Sequence, residues 1–262
     1  MEIELNAKKR KRGGRFFFFV LVVVCVSICV VVSHLFASVI TTGNLSFSAV
    51  SIASTSTYKF YAVSISNFTS KTQAEENAND IHAKNAGGFV FLQSGKYYVL
   101  ASIYQNKNDA ESVATNLSTL SYTPEVIEIS FEKANFSNCS SGNLKNNYLQ
   151  FLDEFKLAYQ KLYDISVSLD TSVFSETKSR IEIDAIKTNF KNKMEELSSG
   201  TSSNDGVYFA TLKRYAGKIE NSLSELVEYE STQNYPLSAK IKYVYMDIIN
   251  SLKELSESLV QK

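Results

Sequence analysis

The feature that most constrains this chain is an internal repeat. Tyr61, Val63, Ser66, Phe68, Lys71, Ala74, Glu75, Ala78 and Ile81 recur at a spacing of 36 as Tyr97, Val99, Ser102, Tyr104, Lys107, Ala110, Glu111, Ala114 and Leu117. The register holds without a gap, so one structural unit is used twice. Two copies are too few for a solenoid. They suffice for a pseudo-twofold domain in which each copy supplies a strand, a helix and a strand.

The local patterns support that division. Phe60-Tyr61-Ala62-Val63-Ser64-Ile65 alternates larger apolar with smaller side chains, the mark of a strand with one buried face. Ser70-Lys71-Thr72-Gln73 is a capping-box pattern, and the helix it opens carries Ala74, Ala78 and Ile81 on one side. Asn85-Ala86-Gly87-Gly88 stops that helix, and Phe89-Val90-Phe91-Leu92 follows as a strand. The second copy runs as a strand from Lys96 to Ile103 and a helix capped by Asn106 with Asp109 in its first turn. It closes with a strand from Pro124 to Phe131. The expected order is βαββαβ, a split βαβ sandwich with both helices on one face of a four-stranded antiparallel sheet. Short alanine side chains at equivalent helix positions let both helices lie close to that sheet.

These units resemble the SPOR domain, the sporulation-related repeat of bacterial envelope proteins. That family carries a strand of the type Val-Gln-x-Gly-x-Phe before a helix with Ala-Glu, then a second copy of the type Tyr-Arg-Val-x-x-Gly-x-Phe. Here the first copy reads Val63-Ser64-Ile65-Ser66-Asn67-Phe68 with Ala74-Glu75. The second reads Tyr97-Tyr98-Val99-Leu100-Ala101-Ser102-Ile103-Tyr104 with Ala110-Glu111. The resemblance covers residues 58–131. Ser64 stands where the family often has Gln, Ser66 and Ser102 replace glycines, and Tyr98 replaces Arg. The resemblance implies binding of peptidoglycan glycan strands stripped of their stem peptides, on the sheet face that the helices leave open. Ala62, Ser64 and Ser66 are expected on that face from the first strand, and Tyr98, Leu100 and Ser102 from the third. The glycan-binding residues expected are Ser64, Ser66, Tyr98, Leu100 and Ser102, because hydroxyls and an aromatic ring offer a sugar hydrogen bonds and an apolar platform. An ordinary solvated sheet face is the competing expectation.

Beyond a polar connector over residues 132–143, the apolar period changes to that of amphipathic helices. Leu144, Tyr148, Phe151, Phe155, Ala158, Leu162, Ile165 and Leu169 form the first stripe, and Ile183, Ile186, Phe190, Met194 and Leu197 the second. Tyr208, Leu212, Tyr215, Ile219, Leu223 and Leu226 form the third. Leu237, Ile241, Val244, Ile248, Leu252, Leu255 and Leu259 form the fourth. Residues 144–262 therefore fit an up-down four-helix bundle, with dimerising coiled-coil hairpins as the alternative.

The N-terminus adds a basic run, Lys8 to Arg12 with Arg15, before an apolar stretch from Phe16 to about Ile40. Twenty-five helical residues would span about 37 Å, more than a bilayer core requires, and the stretch is too long for a signal-peptide core. The expectation is a cytoplasmic tail over 1–15 and an uncleaved single-pass anchor over 16–40. A Ser/Thr-rich tether over 41–57 would then lead to domains outside the plasma membrane. The fold class expected is α+β: a transmembrane helix, the SPOR-like domain and an all-α bundle.

Little here could build an active site. Formal net charge is zero, so no overall field recruits nucleic acid. His34 lies in the apolar stretch and His82 at the edge of a helix. Asp153-Glu154 and Glu195-Glu196 are adjacent on helices and cannot share one face. Cys25 and Cys29 fall within the apolar stretch, and Cys139 stands alone in the connector as a free loop thiol or an inter-chain pairing partner. No zinc spacing, phosphate loop or cofactor motif occurs, and the Asn-x-Ser/Thr triplets are of the number chance supplies. The expected protein is a non-enzymatic envelope protein that binds peptidoglycan and localises or scaffolds wall remodelling at division or sporulation sites. The alternative is an interaction adaptor of SPOR-like fold that no longer binds glycan. It would act through its C-terminal helices, by a protein partner or by self-association.

Overall fold

The computed structural model describes residues 57–120, 122–136, 142–199, 206–232 and 235–260. The repeat forms β1 (Thr57–Phe68), α1 (Lys71–His82), β2 (Phe89–Gln93), β3 (Lys96–Tyr104), α2 (Lys107–Thr119) and β4 (Glu125–Glu132). Four long helices follow: α3 (Gly142–Asp170), α4 (Glu176–Ser199), α5 (Gly206–Glu228) and α6 (Leu237–Val260).

The sheet has the order β2-β3-β1-β4 with every pairing antiparallel, so the first strand of each copy lies at the centre. Ser94 and Gly95 join β2 to β3 with φ values of 50° and 77°. Positive φ at both turn residues is the type I′ geometry that matches the twist of the flanking strands. Asn106 caps α2 by accepting from the Asn108 amide at 3.0 Å. Ser70 occupies the cap position of α1, but its side chain makes no capping bond.

Both repeat helices pack on one sheet face. Ala74, Ala78 and Ile81 of α1 cluster with Val99 of β3, and Ala110 of α2 clusters with Val63 of β1 and Tyr104 of β3. The alanines bring each helix down onto the strands, as their small volume allows.

The four long helices close a ring in which α3 neighbours α4 and α6, and α5 neighbours α4 and α6. Their core contains the stripes read from sequence, among them Leu144, Phe155, Leu162, Ile183, Leu212, Ile219, Leu223, Ile241, Ile248 and Leu255. The bundle is thus built within one chain.

One expectation needs correction. Among the described residues no helix is long and apolar enough to cross a membrane. The expected transmembrane helix and the single-pass plasma-membrane localisation therefore find no support among the described residues. The long helices fail as spans because each intersperses charged side chains along its length. The stretch 16–40 itself, with Cys25 and Cys29, lies outside the described residues, as does Cys139. The sheet and the bundle are not independent modules, because all the described residues belong to one compact unit. One continuous core runs from Phe60, Phe89, Phe91, Ile127, Ile129 and Phe131 of the sheet into the helices.

Candidate functional site

The face left open by α1 and α2 is where the sequence placed a ligand surface. In the structure α3 and α6 lie across much of it. The Tyr159 ring of α3 meets Phe60 edge-on at 5.7 Å, and its hydroxyl donates to the Ile103 carbonyl at 3.1 Å. From α6 the Tyr245 hydroxyl lies 2.6 Å from that of Ser102, in a fully buried setting. Tyr104, Tyr159, Tyr163 and Tyr245 form one aromatic group around this point, with ring centroids 5.6 to 6.4 Å apart. Burial raises the phenol pKa of all four.

A polar clasp holds the loop between α1 and β2 against the same helices. Asp170, at the end of α3, accepts from the Asn85 side-chain amide at 2.6 Å, the Ser238 hydroxyl at 2.5 Å and the Lys242 ammonium at 2.6 Å. Lys242 also donates to the Asn85 carbonyl at 2.7 Å. Gly87 makes the approach possible: a Cβ there would lie 2.1 Å from Met246 Cε and 3.0 Å from Lys242 Cβ. Gly88 has φ of +62°, a conformation that favours glycine.

The five residues expected to bind glycan do not share an exposed surface. Leu100 is 1% exposed and sits in the core with the bundle. Ser64 is equally buried; its hydroxyl donates to the Ser66 carbonyl at 2.8 Å and the Val99 carbonyl at 3.3 Å. It thereby fills a β-bulge, since the pairing of β1 with β3 shifts register on both sides of Ser64. The bulge breaks strict alternation and turns Ser66 toward α1, where its hydroxyl donates to Asn77 Oδ1 at 2.6 Å. Ser102 is buried with Tyr245. Tyr98 packs against the shared core but stays half-buried.

Around Tyr98 the face is still partly open. Its register partners are Asn67 on β1, which is exposed, and Phe91 on β2, which is buried. Residues opposite one another in a ladder share a face, so Asn67 and Tyr98 stand together. The exposed Lys96 and half-buried Gln93 pair two rows further out, at the hairpin end. Gln93 donates its side-chain amide to the Glu128 carbonyl of β4 at 3.3 Å, which shows how strongly the sheet curls. An aromatic ring, an amide and an ammonium group are therefore reachable from solvent at one end of the face.

Of the other residues that drew notice, His82, Glu154 and Glu196 have structural partners. The His82 ring lies 6.2 Å from that of Tyr235 and 6.1 Å from that of Tyr243, and burial beside Lys240 lowers its pKa. Glu154 accepts from the Asn189 amide at 3.2 Å, and Glu196 pairs with Lys193 at 2.8 Å. Among the described residues no group of His, Cys, Asp and Glu is arranged to hold a metal ion.

Sequence reading missed the residues that cover the sheet. Leu152, Tyr159 and Ser166 of α3 are buried at a spacing of seven, beside the core stripe, and Tyr245, Met246 and Ile249 of α6 are buried as well. The signal was present. Ile241, Val244, Tyr245, Met246, Ile248 and Ile249 spread over far more than one stripe, as befits a helix buried on two sides.

No protein-family profile and no curated protein matches this chain. Among solved structures, the chain is similar to the solution structure of the peptidoglycan binding domain of the B. subtilis cell wall lytic enzyme CwlC. The match has 27% sequence identity and a TM-score of 0.25, and covers 30% of this chain and 99% of that domain.

Proposed function

We propose that this chain is a non-enzymatic binding protein of the bacterial cell wall that takes glycan strands at the open end of its sheet. The observation that carries this reading is the duplicated strand-helix-strand unit, with the SPOR-like spacing of its aromatic and Ala-Glu positions. Tyr98 would supply the apolar platform, and Asn67 and Lys96 the polar contacts to sugar hydroxyl, amide or carboxylate groups. The work served would be localisation or scaffolding of wall remodelling during division or sporulation. The purified protein is expected to sediment with amidase-treated peptidoglycan more than with intact peptidoglycan. Tyr98→Ala should abolish sedimentation and Tyr98→Phe should retain it. Absence of the wild-type protein from both pellets refutes the reading.

A second reading is favoured by a different observation. Ser64 is buried in the bulge and Leu100 and Ser102 lie against the chain's own helices, so much of the expected face is unavailable to any ligand. In that case the chain is an adaptor that works through its bundle, and Tyr98→Ala leaves its cellular localisation unchanged.

A further inference from the structure

We propose that the groove between α3 and α4 is a docking surface for a basic amphipathic helix of a partner protein; this rests on the adaptor reading. Two cavities of about 420 and 290 Å³ open into this one groove. Phe151 and Leu197 line the first, and Ile165, Phe174 and Ile186 the second. Between them Leu157 stands 38% exposed on α3. The stretch from Asn147 to Ser168 is roughly 30 Å at helical rise, the length of a helix of about twenty residues. Apolar side chains thus recur at the floor of the groove along two adjacent helices, between polar rims, which suits a third helix laid between their ridges.

Charge sets the partner's sign. Asp153 and Glu154 border one cavity and Asp164 and Glu182 the other. Glu182 and Glu196 have lysines of their own, Lys178 and Lys193. Asp153, Glu154 and Asp164 form no ion pair among the described residues, and Lys161 is set against them from the middle of the groove. Desolvation by its neighbours raises the pKa of the surface Asp164 carboxyl, and an incoming cation would offset that shift. A groove whose lining sets five carboxylates, Asp153, Glu154, Asp164, Glu182 and Glu196, against two ammonium groups, Lys161 and Lys193, is complementary to a helix with lysine or arginine beside its apolar face.

The test is calorimetric titration of the full chain with two synthetic twenty-residue helices sharing one leucine face. One carries lysine and arginine on its polar face and the other glutamate. The basic peptide is expected to bind about tenfold or more tightly than the acidic one, and less well as salt rises. An Asp153→Lys, Asp164→Lys double variant should lose that preference. Both sites are exposed, so the double variant should keep the wild-type thermal transition. Leu157→Asp should weaken the basic peptide independently of charge preference. The proposal is overturned if neither peptide binds, if both bind alike, or if the double variant binds as wild type does. It is also overturned if the groove instead mediates self-association that the double variant abolishes, because the occupant is then a second copy. None of these outcomes bears on sedimentation with peptidoglycan, which reads Tyr98.

Discussion

The Ser102 and Tyr245 hydroxyls are 2.6 Å apart and belong to residues separated by 143 positions in the chain. This pair marks where a helix of the bundle completes the core of the repeat-built sheet. Tyr245→Phe keeps the ring and removes the bond, at an expected cost of about 1 kcal/mol. Tyr245→Ala also leaves a cavity between α6 and the sheet, and should cost about 3–5 kcal/mol. Urea unfolding of both variants checks the order. Equal losses would mean that the ring contributes nothing beyond its hydroxyl.

Buried phenols predict the alkaline limit of stability. Tyr58 and Tyr163 are pushed up to about 12, mainly by burial, and Tyr159 and Tyr245 are raised as well. Each holds its proton more tightly folded than unfolded. Their contribution is complete below about pH 10, where unfolded tyrosine stays protonated. It is lost as pH rises from there through the folded values. Ultraviolet titration should show these tyrosines ionising together with loss of structure. Tyr245→Phe should remove part of the pH dependence.

Gly87 lies where a side chain has no room. Gly87→Ala should force Lys242 and Met246 of α6 outward and cost about 1–3 kcal/mol. Gly95→Ala is the control. A Cβ at Gly95 meets nothing within 4 Å, although φ is +77°. Only backbone strain is then added, about 1 kcal/mol. Chemical denaturation of both proteins separates crowding from strain.

Asp247 on α6 works against the fold at neutral pH. Burial is the main cause that raises its carboxyl pKa, and the Ser222 hydroxyl 3.4 Å away only partly offsets it. A raised carboxyl favours folding when protonated, and that contribution is lost as pH rises through the folded value. Asp247→Asn should therefore stabilise the protein at pH 7, by up to about 1 kcal/mol. Thermal unfolding across pH should show the gain shrinking toward acid.

The elements of this fold were legible because their periods are local. Alternation along Phe60–Ile65 and the four-three stripes of the long helices follow from the geometry of strand and helix alone. How the two halves meet was not legible from the repeat. The inward-facing set Phe89, Phe91, Ile127, Ile129 and Phe131 is large and apolar on the side away from α1 and α2. Such a face needs a cover, and attention to the serines of β1 and β3 hid that demand. Ser66 went astray for another reason. Period-two reasoning assumes an unbroken ladder, and the bulge at Ser64 inserts one residue between it and the predicted face.

The late position of α6 in the chain has a consequence for synthesis. At roughly 5–20 residues per second, the 113 residues from Glu132 at the end of β4 to Tyr245 take about 6–23 s to translate. Throughout that time the nascent sheet has its hydrogen-bonding partners but lacks the helix that packs on β2, β3 and β4. A chain paused shortly after β4 is therefore a sticky species, and chaperone engagement should concentrate in that window.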